Sequence, residues 1–277
     1  MRPPFVWLVC VVLLAGACTL ERRSAAAAPL AVASGDTLVL PGGPLGVAIL
    51  RGLAIANATR DSLPEHAGSG LRCTSCHLDD ARRANAAPWI GVAARFPQYR
   101  SRSGSILSLE DRINGCLERS LNGRALPLSD ARLRALVAYM TWLSSGVRIG
   151  DSVPGSGFVR LAAAAPDTAH GATVYAQQCA RCHGVEGDGA IAPAVWGASS
   201  YNIGAGMARQ SIAAAFIHAN MPYDRTGSLT EQEAHDVAAY INGKPRPDFA
   251  TKADDWPNGD PPADVAYPTR ARSQRRN

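Results

Sequence analysis

Cys73-Thr74-Ser75-Cys76-His77 and Cys179-Ala180-Arg181-Cys182-His183 repeat one pattern, C-x-x-C-H, within a chain of 277 residues. The two thiols of such a pentapeptide add across the vinyl groups of a haem, and the adjacent imidazole ligates its iron. At this cysteine and histidine content two chance matches come to about 1 in 10⁵. The plain alternative is a pair of zinc or redox C-x-x-C sites. Zinc needs four ligands, and the remaining cysteines and histidines supply no second matched pair. Two covalently bound c-type haems are therefore expected, held by Cys73, Cys76, His77, Cys179, Cys182 and His183.

What fills the position opposite each histidine decides the chemistry. For the second haem the candidate is Met221, in Asn220-Met221-Pro222, shortly before the last helical pattern. Its thioether is a soft ligand that raises the potential. Met207 is the alternative ligand, or else a packing residue. His218, late in an apolar helix, reads as a packed or solvated histidine.

No methionine stands at the equivalent place in the first half, where Met140 has core spacing. Cys116 stands there instead. Ser108 and Asp111 start a helix and Asn122-Gly123 stop it. Leu109, Ile113 and Cys116 recur at helical spacing, so Cys116 points inward. It is either a small buried hydrophobe or a thiolate ligand to iron. Arg112 and Ser120 lie four residues to either side of it, on one stripe. A neighbouring guanidinium favours thiolate over thiol. Of seven cysteines, Cys10 and Cys18 lie in the N-terminal leader and four attach haem, which leaves Cys116 alone.

The elements that must hold these residues read as a tandem pair. Residues 1–28 resemble an export signal, with Arg2 followed by an apolar stretch from Phe5 to Ala17 too short to span a bilayer. Leu14-Ala15-Gly16-Ala17-Cys18 is similar to a lipoprotein cleavage site, with a lipid anchor at Cys18. Cleavage within Ala25–Ala28, or an uncleaved anchor, are the alternatives. All three place the protein outside the cytoplasm. Residues 29–147 form a first cytochrome c domain, 148–166 a Gly/Ser/Pro linker, 167–250 a second cytochrome c domain, and 251–277 a polar tail. Ser129 is the expected cap of a closing helix carrying Leu133, Leu136, Val137, Met140 and Leu143. Thr230-Glu231-Gln232-Glu233 is a capping box for the second closing helix, which Asn242-Gly243 ends. With no long strand alternation, the fold class is all-α. The net charge of +5 is modest, and nothing points to nucleic acid.

The run Arg112-Ile113-Asn114-Gly115-Cys116-Leu117-Glu118-Arg119-Ser120-Leu121-Asn122-Gly123 resembles the signature of the dihaem thiosulfate dehydrogenases. Ser200–Met207 and Ala215–Pro222 are similar to that family as well, and the resemblance spans roughly residues 45 to 250. It implies oxidation of thiosulfate to tetrathionate, or the reverse. By the family pattern, His77 and Cys116 ligate the active-site haem and His183 and Met221 the exit haem. The cysteine can leave the iron and take up a sulfur adduct. Substrate residues map onto Arg102, Arg112 and Ser120, and guanidinium donors suit small dianions. The implied electron acceptor is a small redox protein, such as a c-type cytochrome or a high-potential iron-sulfur protein. Asn220 stands where some members carry a lysine, so no lysine exchange at the second haem is expected. A dihaem electron carrier without catalysis, and a partner-dependent sulfur-oxidation subunit, are the alternatives.

Overall fold

In each half, the helix that precedes the haem motif crosses the helix that closes the half. The computed structural model describes residues 38–270. The signal segment with Cys18, and the last seven residues, lie outside the described residues.

In the first half, α1 (Gly43–Asn57) crosses α3 (Ala131–Leu143). Gly52 makes the crossing possible, because a Cβ there would stand 2.1 Å from the Ala135 carbonyl oxygen. Leu133, Leu136 and Leu143 are fully buried behind it, each worth about 2 kcal/mol of burial. Tyr139, also buried, donates its hydroxyl to the Asp80 carbonyl at 2.7 Å. Between these helices runs α2 (Leu109–Arg119), which carries Cys116. Its start is the expected capping box of Ser108 and Asp111. The cap of α3 is Asp130, whose carboxylate accepts from the Arg132 N–H at 2.7 Å, and not Ser129. A carboxylate accepts this charge-assisted bond better than the hydroxyl one residue earlier.

The second half repeats the plan. Helix α4 (Thr168–Val174) crosses α6 (Glu231–Asn242), and Gly171 sits at the crossing, where a Cβ would stand 2.1 Å from the Asp236 carbonyl oxygen. Helix α5 (Gln210–Asn220) packs on α6 and ends at Met221. Thr230 and Glu233 cap α6 as expected.

The fold is two helical cytochrome c domains, with one departure. A short antiparallel ribbon joins β1 (Gln98–Arg100) to β2 (Ser105–Leu107), with Arg100 opposite Ser105. Three residues per strand are too few to show alternation in a sequence.

The halves are interlocked. The linker is seated on the first half, where Gly155 and Gly157 carbonyls accept from Asn85 and Ala87 N–H groups, each at 2.7 Å. Tyr201, Ala205 and Ala208, beyond the second motif, are buried in the first core. The expected polar tail is a strap as far as residue 270. Trp256, Tyr267 and Asp255 are buried within it. Two aromatic rings and a carboxylate matched to arginines give this segment enough to bury, which its overall polarity conceals.

Candidate functional site

Cys73 opens a single tight turn, Cys73–Ser75. Thr59 anchors it, its hydroxyl oxygen accepting from the Cys73 N–H at 3.0 Å. His77 follows, with its Nδ1 2.7 Å from the Ala87 carbonyl. A carbonyl only accepts, so Nδ1 carries the proton and Nε2 keeps a free lone pair. Trp89 lies against the His77 ring, with centroids 5.2 Å apart.

His183 repeats this arrangement with Nδ1 2.7 Å from the Pro193 carbonyl. Tyr175 secures the motif by donating to the Gly184 carbonyl at 2.7 Å, and its ring lies 4.9 Å from that of Trp196. Both histidines thus present Nε2 as an iron ligand beside a pair of cysteines, which fits a covalently attached haem in each half. Among the described residues no group of three or more His, Cys, Asp and Glu side chains is placed to hold a bare metal ion.

Around His77 opens a cavity of about 430 Å³. Leu71, Trp89, Phe96, Ile113, Leu136 and Met140 supply apolar wall. Cys116 and Ser120 line it from α2, together with Arg112, whose Nη1 donates to the Cys116 sulfur at 2.9 Å. Burial pushes the Cys116 thiol up. The charge of Arg112, with a contribution from His77, outweighs it and sets the thiol at about 7. Burial instead pushes Cys73 up to about 11 and Cys76 up to about 12. One cysteine of the three is therefore poised as an anion, and it faces the histidine.

Four arginines line this cavity, namely Arg72, Arg95, Arg100 and Arg112, and no carboxylate does. Guanidiniums on an apolar wall suit anions, the propionates of an attached haem as well as a small oxyanion. Burial holds Arg100 below its ordinary value, and repulsion from Arg112 and Arg95 adds to this. Gln98 and Arg100 line the cavity together because alternate residues of β1 face one side. The turn after that strand carries Arg102 away. Arg102 is not part of the cavity wall, and instead donates to the Gly204 carbonyl at 2.7 Å and lies over the Trp256 ring at 4.6 Å. It stands behind Arg112, near enough for the two charges to repel.

The two methionines share one apolar cluster but serve different walls. Met207 lines the first cavity, with Gly206 and Ile212 of the second half and Gly157 and Phe158 of the linker. Met221 packs on the second core. His218 points its Nδ1 at the Leu229 carbonyl, 3.0 Å away, as a packed histidine.

Two haem-attachment domains in tandem, one with a third cysteine facing its histidine, make this a dihaem c-type cytochrome. Residues 64–149 match the SoxA/TsdA cytochrome c domain, and residues 166–241 match the cbb3-type cytochrome c oxidase subunit III. The chain is 45% identical over 238 residues to the thiosulfate dehydrogenase of Psychrobacter arcticus, a match covering 83% of this chain and 73% of that one. It is 44% identical over 223 residues to the thiosulfate dehydrogenase of Allochromatium vinosum, covering 76% and 83%. The solved thiosulfate dehydrogenase TsdBA of Marichromatium purpuratum, in its as-isolated form, matches with a TM-score of 0.72 at 38% identity. That match covers 76% of this chain and 48% of the other, so this chain spans about half of its length. The chain belongs to the thiosulfate dehydrogenase family, oxidoreductases that act on sulfur compounds.

Proposed function

We propose that the protein joins two thiosulfate ions into tetrathionate at the first site and passes the electrons out through the second. The reaction balances as two S₂O₃²⁻ giving S₄O₆²⁻ and two electrons, with no proton taken or released, and its reverse uses the same groups. When bound, each haem supplies a one-electron acceptor, so the pair together matches the two electrons. His77 and Cys116 hold the first haem iron, and His183 and Met221 hold the second. The packing of Met221 on the second core, with Met207 committed to the first cavity, supports that assignment.

The chain's own contribution is electrostatic. Bringing two dianions together opposes their mutual repulsion, and Arg112, Arg100 and Arg95 offset it within one apolar cavity. Ser120 offers a hydroxyl donor on the same helix face as Cys116. Arg102 acts behind this wall. The single observation that carries the reading is the Cys116 thiol, opposite His77 and 2.9 Å from Arg112, in a cavity of arginines without carboxylates. An electron carrier has no need of a cysteine opposite its haem histidine with arginines gathered beside it.

The site belongs outside the cytoplasm, where the family's cytochromes are assembled, and delivers electrons to a small redox protein such as a c-type cytochrome or a high-potential iron-sulfur protein. No helix among the described residues is long and apolar enough to cross a membrane. The test is thiosulfate-dependent ferricyanide reduction by the dihaem protein. Wild type is expected to turn over. Cys116→Gly is expected to fall to background, with changed electron paramagnetic resonance of the first haem and an unchanged second haem. Equal turnover by the variant refutes the proposal.

A further inference from the structure

The strap formed by residues 249–270 lies beyond both matched cytochrome domains, yet its buried carboxylate pairs with arginines that adjoin the first site. Asp255 is 4% exposed. A carboxylate at that depth must be paired, and Asp255 is paired by Arg119, whose Nη1 and Nη2 donate to its two oxygens at 2.8 and 2.7 Å. Tyr267 donates a third bond from its hydroxyl. The Nε of Arg102 stands 4.0 Å away on the other side. One carboxylate therefore holds together two guanidiniums that would otherwise repel.

Both arginines are attached to the anion cavity. Arg119 is the last residue of α2, next to Ser120 and on the turn that carries Cys116. Arg102 follows the strand that presents Arg100. The strap grips Arg102 twice more. Its backbone carbonyl accepts from the Trp256 N–H at 2.8 Å, and its guanidinium lies over the Trp256 ring. The Gly204 carbonyl, accepting from Arg102 at 2.7 Å, closes the bracket from the second half.

We propose that Asp255, acting through Arg119 and Arg102, is the positioning residue that sets the spacing between the end of α2 and the loop at 100–104, and so the fit of the sulfur dianion between them. This rests on the first cavity being the thiosulfate site. The strap touches no reacting atom. It holds in register the arginines and hydroxyl that do.

The experiment compares wild type, Asp255→Asn, Asp255→Glu and Trp256→Ala as dihaem proteins. KM and kcat are measured with ferricyanide as acceptor. Thiosulfate affinity is measured separately by calorimetry on electrochemically reduced protein, where no turnover occurs. Asp255→Asn is expected to raise both KM and the dissociation constant about ten- to a hundredfold, as misplaced binding groups do. The expected change in kcat is smaller, and the resonance of both haems is expected to stay as in wild type. Asp255→Glu is expected to recover most of the affinity. Trp256→Ala, which keeps the carboxylate, is expected to raise KM about two- to fivefold. An Asp255→Asn protein with KM and affinity within about twofold of wild type overturns the inference. So does a lower KM, which would make Asp255 a mere brake on the positive field. If Asp255→Asn does not retain haem, an unchanged KM in Trp256→Ala overturns it alone. A wild type that neither binds nor oxidises thiosulfate overturns the proposed reaction, and this inference with it.

Discussion

Arg112 gives the sharpest functional test, because its bond to Cys116 can be split into charge and geometry. Nη1 lies 2.9 Å from the sulfur, in direct contact, and a hydrogen bond to a charged group is worth about 1.5–3 kcal/mol. Converted at 1.36 kcal/mol per factor of ten, losing it lowers kcat/KM about 10- to 150-fold. The second contribution is Coulombic. Two unit charges 4 Å apart near a protein surface attract by at most about 4 kcal/mol, and an open, wet cavity mouth leaves a fraction of that. Arg112→Gln removes charge and fork together and is expected to cost more than 100-fold, about the loss seen when one electrostatic donor is removed from an active site. Arg112→Lys keeps the charge and loses the planar fork, so it is expected to cost about tenfold. The assay is kcat/KM for thiosulfate with ferricyanide, read beside the resonance of the first haem. A glutamine variant within about threefold of wild type refutes the role of Arg112. A lysine variant as poor as glutamine refutes the Coulombic part.

Two further expectations concern the scaffold. At Gly52 an added Cβ would stand 2.1 Å from the Ala135 carbonyl oxygen and 2.8 Å from the Tyr139 Cβ, so Gly52→Ala is expected to cost about 2–3 kcal/mol of unfolding free energy by urea titration. A loss below about 1 kcal/mol would show that α1 can shift freely on α3. The pair of His170 with buried Asp236, at 2.8 Å, makes part of the stability depend on pH. The hydrogen bond to Asp236 raises the His170 pKa. Burial pushes Asp236 up, but bonds from His170, the Asp167 N–H and Gln232 hold it below its ordinary value. The Asp236 contribution is present above the ordinary carboxylate pKa and lost as pH falls through the depressed one. The His170 contribution is present below the ordinary imidazole pKa and lost as pH rises through the raised one. The difference in Tm between wild type and His170→Gln should therefore be largest between about pH 4 and 6.5 and narrow above that range. A difference independent of pH sinks the assignment.

What could be read from the sequence was what neighbours in the chain determine. The haem pentapeptides are contiguous. The capping boxes at Ser108 and Thr230 are completed three residues on, and Arg112 and Ser120 flank Cys116 at helical spacing. What escaped depends on distant partners. No local pattern says that Met207 lines the first cavity, that Gly52 and Gly171 sit at helix crossings, or that Trp256 stacks on a guanidinium 154 positions earlier than itself. Arg102 shows the limit most clearly. The family resemblance places it at the substrate site, and only the fold shows the turn at 101–104 that sets its side chain behind the wall that Arg100 enters.

The same non-local packing explains why the two sites form one machine. Leu78 directly follows His77, and Ala86 directly precedes the residue whose carbonyl orients the His77 ring. Both are packed with Phe216, and Phe158, Met207 and Met221 close around them. This apolar cluster draws on the first domain, the linker and the second domain at once. It abuts the cavity through Met207 and Phe158 and reaches the second site through Met221. Asn220 pins the arrangement by donating from Nδ2 to the Asn85 carbonyl at 3.2 Å. This close-packed cluster leaves little room for water between the two domains. Arg112 and Arg100 line the same cavity from α2 and β1. Through Gly206, Met207 and Ile212 the second domain is as much a part of the first cavity's wall as α2 is.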